Sequence, residues 1–409
     1  MSARISREFL DAIPKTDLHL HLDGSLRVST LIELAKAEGV PLPSETEEGL
    51  FELVFKEKYK DLPDYLQGFG LTCSVLQTPE NLERAAYELA KDNIDENVRY
   101  IEVRYAPQQH VRPGFTVEEV IESVDRGLAR AAAEHNATEA VKNGTELPFH
   151  YGIIVCAMRF FLPVFSPYYS QLFNALPHAP AKEIYALAAT ELVRSTVRLI
   201  EETDIPVVGF DIAGAENGFP AAWFQEAYGI AHKHFLRKTV HAGEAYGPES
   251  IFQALTDCHA DRIGHDTWIF AADRIGDSSI ADKERYIDRL VDYVASRRVT
   301  LEVCPTSNLQ TMPELPGIGA HPVRRMIEHG LSVSINTDNR LVSRTTPAKE
   351  LALVCDGLGL SAAQLKNLVI AGFKGSFFPE DYPAKRRFVR QVIDRYESLE
   401  RAFGLSAEP

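Results

Sequence analysis

The chain has 409 residues, 45% apolar and 25% charged, which excludes a disordered chain and a coiled-coil rod. Its formal net charge of −15 excludes a surface built to neutralise nucleic-acid phosphates. Five cysteines with no C-x-x-C spacing exclude a disulfide framework, a thiolate zinc ribbon and a thioredoxin-like redox site.

Along the chain, strand-like and helix-like segments alternate. The first strand is expected at 16–21. A helical pattern follows at 78–97, with Leu82, Ala85, Ala86, Leu89, Ala90 and Ile94 at helical spacing. Further strands are expected at 98–106, 149–158, 207–214, 238–241, 261–266, 300–304 and 331–338. Helical patterns at 184–202, 223–235, 249–258, 287–296 and 323–330 lie between the later strands, and 384–403 reads as a long charged helix on the outside. Eight strands alternating with helices imply a parallel (β/α)8 barrel, with a doubly wound open sheet as the competing architecture. The expectation is one domain over 1–409. The gap after the first strand is too long for one crossover, so a helical insertion at about 40–97 is expected over the barrel mouth. No signal core opens the chain, and the apolar run at 151–165 contains Arg159 and is too short to span a bilayer. A cytoplasmic protein without a membrane or nucleic-acid partner is expected; a homo-oligomer is left open. Cys156 and Cys304 read as buried small hydrophobes.

In a barrel of this class the reactive side chains sit at the C-terminal ends of the strands. The unusual residues of this chain fall there: His19 and His21, Asp211 to Glu216, His241 and Glu244, His265 and Asp266, Cys304 to Asn308, and Asn336 to Asn339. Two residues apart on a strand, His19 and His21 point to one side and can share a metal; two core histidines satisfied by hydrogen bonds are the alternative. His232 and His234 have the same spacing inside a helical pattern, where they do not face each other, and read as surface residues. Adding His241 and Asp338 gives three neutral nitrogens and one carboxylate, a good set for zinc. Such a centre carries a net +1 with a divalent ion and can lower the pKa of a bound water to roughly 7. Glu244, three residues after His241 and turned by Gly243, is available as a proton carrier if burial raises its pKa; a helix N-terminal glutamate is the alternative. His265 is a candidate to orient or deprotonate the water, or to be a fifth ligand.

At this point the chain resembles the adenosine deaminase family of metal-dependent hydrolases. The matching segments, in the family's order, are Lys15-Thr-Asp-Leu-His19-Leu-His21-Leu-Asp23-Gly-Ser25, 98–106, Gly209-Phe-Asp-Ile-Ala-Gly214-Ala-Glu216, Val240-His-Ala-Gly-Glu244, Arg262-Ile-Gly-His-Asp266, 301–308 and Ser334-Ile-Asn-Thr-Asp338. The resemblance implies a (β/α)8 barrel with one Zn2+ per chain. It also implies hydrolytic deamination of adenosine or deoxyadenosine to inosine or deoxyinosine plus ammonia. By the same resemblance His19, His21, His241 and Asp338 are zinc ligands. Glu244 protonates purine N1, and His265 positions the attacking hydroxide. Gly214 offers a backbone donor to N3, Asp23 faces the sugar 5′-hydroxyl, and Tyr65 and Leu66 form a hydrophobic gate. The family usually has two consecutive acids where this chain has Asp338-Asn339; an asparagine amide still donates to purine N7 at any pH. Position 211 and its neighbours contain no lysine for a bridging carbamate, so one metal is expected rather than two. Two alternatives are kept: a deaminase of another 6-aminopurine (adenine, an aminofutalosine derivative or an N6-substituted adenine), and a non-catalytic nucleoside-binding relative.

Overall fold

The computed structural model describes residues 5–405. Its eight strands are β1 (Lys15–His21), β2 (Val98–Tyr105), β3 (His150–Met158), β4 (Val207–Ala213), β5 (Arg237–Ala242), β6 (Arg262–His265), β7 (Thr300–Val303) and β8 (Ser332–Ile335). They form one sheet in sequence order, each pairing its successor in parallel. The sheet closes on itself: just beyond β8, the Asp338 N–H donates to the His19 carbonyl and its carbonyl accepts from the His21 N–H, both at 2.8 Å. That closure identifies a (β/α)8 barrel and rejects the open doubly wound sheet.

The strands are buried on both faces, inward in the barrel and outward against the helices; β3 reads as a largely apolar run, whereas β1 and β2 bury charged and polar side chains as well. Helix starts follow local chemistry. Thr78 caps Pro79–Asp95 by accepting from the Asn81 N–H, and Thr116 and Glu119 form a reciprocal capping box on Val117–Asn136. These two helices pack closely because Gly127 has no side chain; a Cβ there would lie 2.2 Å from the Glu83 carbonyl oxygen.

Between β1 and the Pro79–Asp95 helix lie three more, Val28–Glu38, Glu47–Leu53 and Leu62–Val75. The expected helix over 223–235 is a 3-10 turn at Ala221–Phe224 followed by Gln225–Lys233. At the C-terminus, Tyr382–Ala402 buries Ala384, Phe388, Val392 and Tyr396, a four-residue repeat facing the barrel's outer layer. His232 and His234 are exposed, while Cys156 and Cys304 are buried. No helix among the described residues is long and apolar enough to cross a membrane.

Candidate active site

The barrel mouth gathers side chains from β1, β5, β6 and the segment after β8. The Nε2 atoms of His19 and His241 are 3.0 Å apart, and those of His21 and His241 are 3.2 Å apart. The Asp338 Oδ1 stands 3.7 Å from the His19 Nε2 and 3.5 Å from the His21 Nε2. The closure bonds explain this placement: Asp338 is stitched to the backbone of both histidines, so its side chain leaves the barrel rim between them. Gly264 supplies the room on the other side, since a Cβ there would meet the His19 ring at 2.8 Å.

The ligand chemistry of the cluster suits a divalent cation. The Nδ1 of His19 lies 2.8 Å from the Glu302 carboxylate and the Nδ1 of His241 lies 2.9 Å from that of Asp211. Those carboxylates keep the ring hydrogens on Nδ1, so bare Nε2 lone pairs face each other across the centre. Burial pushes the pKa of His19 and His21 well below the ordinary value, which keeps these imidazoles neutral. Lone pairs at this spacing repel unless a cation sits among them. Burial also pushes Asp338 up to about 6, against the hydrogen bonds of Ser307 and Asn339 and the charges of His241 and Arg104.

The two carboxylates behind the histidines are themselves held by arginine. Arg104 on β2 donates to Asp211 and to Glu302, each at 2.7 Å, and all three side chains are fully buried. Burial alone would raise both acids, but His241 and Arg104 bring Asp211 to about 2, and Arg104 with Arg262 bring Glu302 to about 2. Arg262 continues the network by donating to Glu302 at 2.7 Å and pairing with Glu102. Removing one partner from such a buried set costs about 3–5 kcal/mol, because the remaining charges stay desolvated.

Glu244 and His265 face the same centre. The His265 Nε2 is 3.8 Å from the Glu244 Oε1. Burial holds the Glu244 carboxyl well above the usual range, helped by the negative charges of Asp338 and Glu216 and opposed by Arg159. Burial likewise holds His265 neutral. Its tautomer is set by a chain of contacts. The Val323 N–H donates to the His321 Nδ1 at 3.1 Å, so the His321 Nε2 carries the hydrogen and donates to the Asn308 Oδ1 at 3.2 Å. The Asn308 amide then donates to the His265 Nδ1 at 3.1 Å, leaving the His265 Nε2–H as the donor on the site side. His265, Asp266 and Asp338 all adopt positive φ, at 71°, 54° and 61°, so backbone strain is concentrated at this mouth.

The remaining expected site residues surround the cluster. Asp23 is buried, with its Oδ1 4.0 Å from the His21 Nδ1, and burial pushes it up to about 7. Gly214 follows β4 with φ 96°. Asn339 is buried, and its amide donates to the Tyr65 hydroxyl at 2.8 Å; Tyr65 also contacts the Ser343 hydroxyl at 2.8 Å. Gly24 makes that arrangement fit, as a Cβ there would lie 1.8 Å from the Asn339 Oδ1. Tyr65 is thus a buried polar contact of Asn339, and Leu66 is half-buried against the core. The sequence placed Asp211 and Asn308 at the strand ends without a role for either, and nothing in it singled out Arg104, Glu302 or His321. Charged residues inside otherwise apolar strands were the available signal for Arg104, Asp211 and Glu302.

Comparison with known proteins follows this geometry. The family model described as adenosine deaminase matches residues 14–160 and 181–395. The chain is 34% identical to adenosine deaminase 1 of Streptomyces coelicolor over 90% of its own length and 83% of that relative's. Its fold is similar to that of an adenine deaminase from Arthrobacter aurescens, with TM-score 0.72 and 22% identity, over 94% of this chain and 100% of that one. It is also similar to an amidohydrolase from Burkholderia ambifaria with bound zinc, with TM-score 0.75 and 22% identity, over 99% and 97% of the two chains.

Proposed function

The chain belongs to the adenosine deaminase family, and on that premise we propose that it hydrolyses adenosine and deoxyadenosine to inosine and deoxyinosine plus ammonia at this barrel mouth. The observation that carries the reading is the convergence of three Nε2 atoms and the Asp338 carboxylate on one centre beside a buried Glu244.

In this reading His19, His21, His241 and Asp338 hold one zinc. Zinc there supplies Lewis acidity, which makes a water nucleophilic near neutral pH. The protein's own groups do the rest. Addition of oxygen at purine C6 drives negative charge into the ring, and an acid at N1 neutralises it. Glu244 carries that proton, and burial, with the charges of Asp338 and Glu216 beside it, raises its pKa and so favours the protonated carboxyl. His265, neutral and with hydrogen on Nε2, donates toward the oxygen that adds to C6; the fixed tautomer supports a donor role over that of a base. The proton the water loses replaces the one Glu244 gives to N1, and the proton of the C6 hydroxyl then moves to the amino group, which leaves as ammonia as the C6 carbonyl forms.

The base is read at three further points. The Gly214 N–H serves N3. The Asn339 amide, which donates to Tyr65 and lies against the Asp338 carboxylate, is the group assigned to N7. Asp23 faces the 5′-hydroxyl of the sugar, Leu66 closes over the nucleoside, and Tyr65 holds Asn339 from behind.

A purine screen tests the reading. Zinc-loaded protein is expected to release ammonia from adenosine and deoxyadenosine with a kcat/KM of at least about 10⁴ M⁻¹s⁻¹. Adenine and N6-substituted adenosines are expected to turn over far more slowly. Faster turnover of free adenine than of adenosine would reject the nucleoside assignment.

A further inference from the structure

Two loops meet beside the histidine cluster. One leaves β4 and carries Gly214; the other leaves β5 and carries Glu244. Glu216, fully buried, joins them. Its Oε1 accepts from the Gly243 N–H at 3.1 Å and the Ser250 hydroxyl at 2.5 Å. Its Oε2 accepts from the N–H groups of Glu244 at 3.0 Å, Ala245 at 2.6 Å and Tyr246 at 3.0 Å. A return bond runs from the Gly218 N–H to the Tyr246 hydroxyl at 2.6 Å. The carbonyls of the β5 loop are held from the far side: the Trp268 indole donates to Glu244 at 2.9 Å and Arg274 to Ala245 at 3.2 Å. Four consecutive N–H groups thus converge as they would on a bound anion, and a side-chain carboxylate of the neighbouring loop occupies the place.

We propose that Glu216 is a positioning residue of the reaction: it fixes the distance between the Gly214 loop and the Glu244 loop, so that the acid meets purine N1 while N3 rests on the Gly214 backbone. The proposal rests on the reading of Glu244 as the acid given above. N1 and N3 belong to one rigid six-membered ring, so the substrate dictates their separation. Loops that grip both atoms must hold a matching spacing, and displacement of a reacting group by 1 Å costs about 10²-fold in rate. Among the described residues, those five donors are the hydrogen-bond partners of the Glu216 carboxylate. Their number and convergence exceed what holding a surface turn requires, and they end on the residue that moves the proton.

The test compares Glu216→Gln, Tyr246→Phe and Glu244→Gln in the full-length zinc-loaded enzyme with adenosine. Glutamine at 216 keeps the size but turns an NH2 group toward backbone N–H donors. The expected result for Glu216→Gln is undiminished zinc content and a kcat lower by about 10²-fold with KM changed far less. Tyr246→Phe loosens only the return bond, so it is expected to lower kcat by less than about tenfold at unchanged KM. Wild-type kcat in Glu216→Gln, with Glu244→Gln inactive, overturns the positioning role and keeps the acid. An active Glu244→Gln instead overturns the acid assignment itself. If Glu216→Gln does not fold, Ser250→Ala and Tyr246→Phe carry the test: each is expected to lower kcat severalfold at unchanged KM, and wild-type kcat in both overturns the proposal.

Discussion

Glu244→Gln is expected to keep its zinc and to lose between about 10² and 10⁴-fold in kcat, the range of a general acid removed from a reaction that needs one. Glutamine fills the same volume and still offers hydrogens to a ring nitrogen, so binding survives, but it cannot release a proton to N1. The wild-type pH profile follows from the same group. Burial, then the charges of Asp338 and Glu216, hold the Glu244 carboxyl above its ordinary value. A carboxyl acting as an acid works below its folded pKa and fails as pH rises through it. The raised pKa therefore moves the loss of activity to higher pH than an ordinary carboxyl would give, and the loss comes on the alkaline side. Steady-state kcat against pH, with metal content measured on each sample, checks both statements. Near-wild-type kcat in the glutamine variant would remove Glu244 from the acid role.

Asp338→Ala is expected to do more, because it takes away the only charged ligand of the cluster. The barrel closure at this residue uses its backbone N–H and carbonyl, which alanine retains, so the fold is expected to persist. What is lost is the carboxylate between His19 and His21, leaving three neutral imidazoles around a divalent ion. Partners that merely orient a ligand are worth about 10–100-fold in metal affinity, so loss of a ligand itself is expected to exceed 100-fold. Elemental analysis after dialysis is expected to find the variant largely free of zinc, with deamination reduced in proportion. A variant that keeps a full equivalent would show that Asp338 is no ligand.

Much of this was legible in the sequence because the chemistry sits on short elements with strict periodicity. His19 and His21 share a face by the two-residue repeat of a strand, and the helix at 78–97 announces itself through its apolar spacing. The order of the strands followed from alternation alone. The features that were not legible depend on contacts between distant segments. Arg104 is 107 residues from Asp211 and 198 from Glu302, yet one guanidinium binds both, and no local pattern encodes that pairing. His321 reaches His265 only through Asn308, and the direction of hydrogen donation emerges only when all three are placed together. Tyr65 is an instructive difference: a position read as part of an apolar gate is buried, with its hydroxyl on Asn339 and Ser343. The substitution of asparagine for the family's second acid and the tyrosine hydroxyl beside it belong to one hydrogen-bonded unit, which sequence spacing cannot reveal. The helices at Val117–Asn136 and Ala362–Gly375 also went unread, although both begin at a capping box.

The central claim is that one cation sits among His19, His21, His241 and Asp338. Crystals of the wild-type protein, with diffraction recorded on either side of the zinc absorption edge, test it most directly. A single strong anomalous peak is expected within coordination distance of three Nε2 atoms and the Asp338 carboxylate, vanishing below the edge. An ion found elsewhere, or a peak that leaves any of these four side chains outside the coordination sphere, would contradict it.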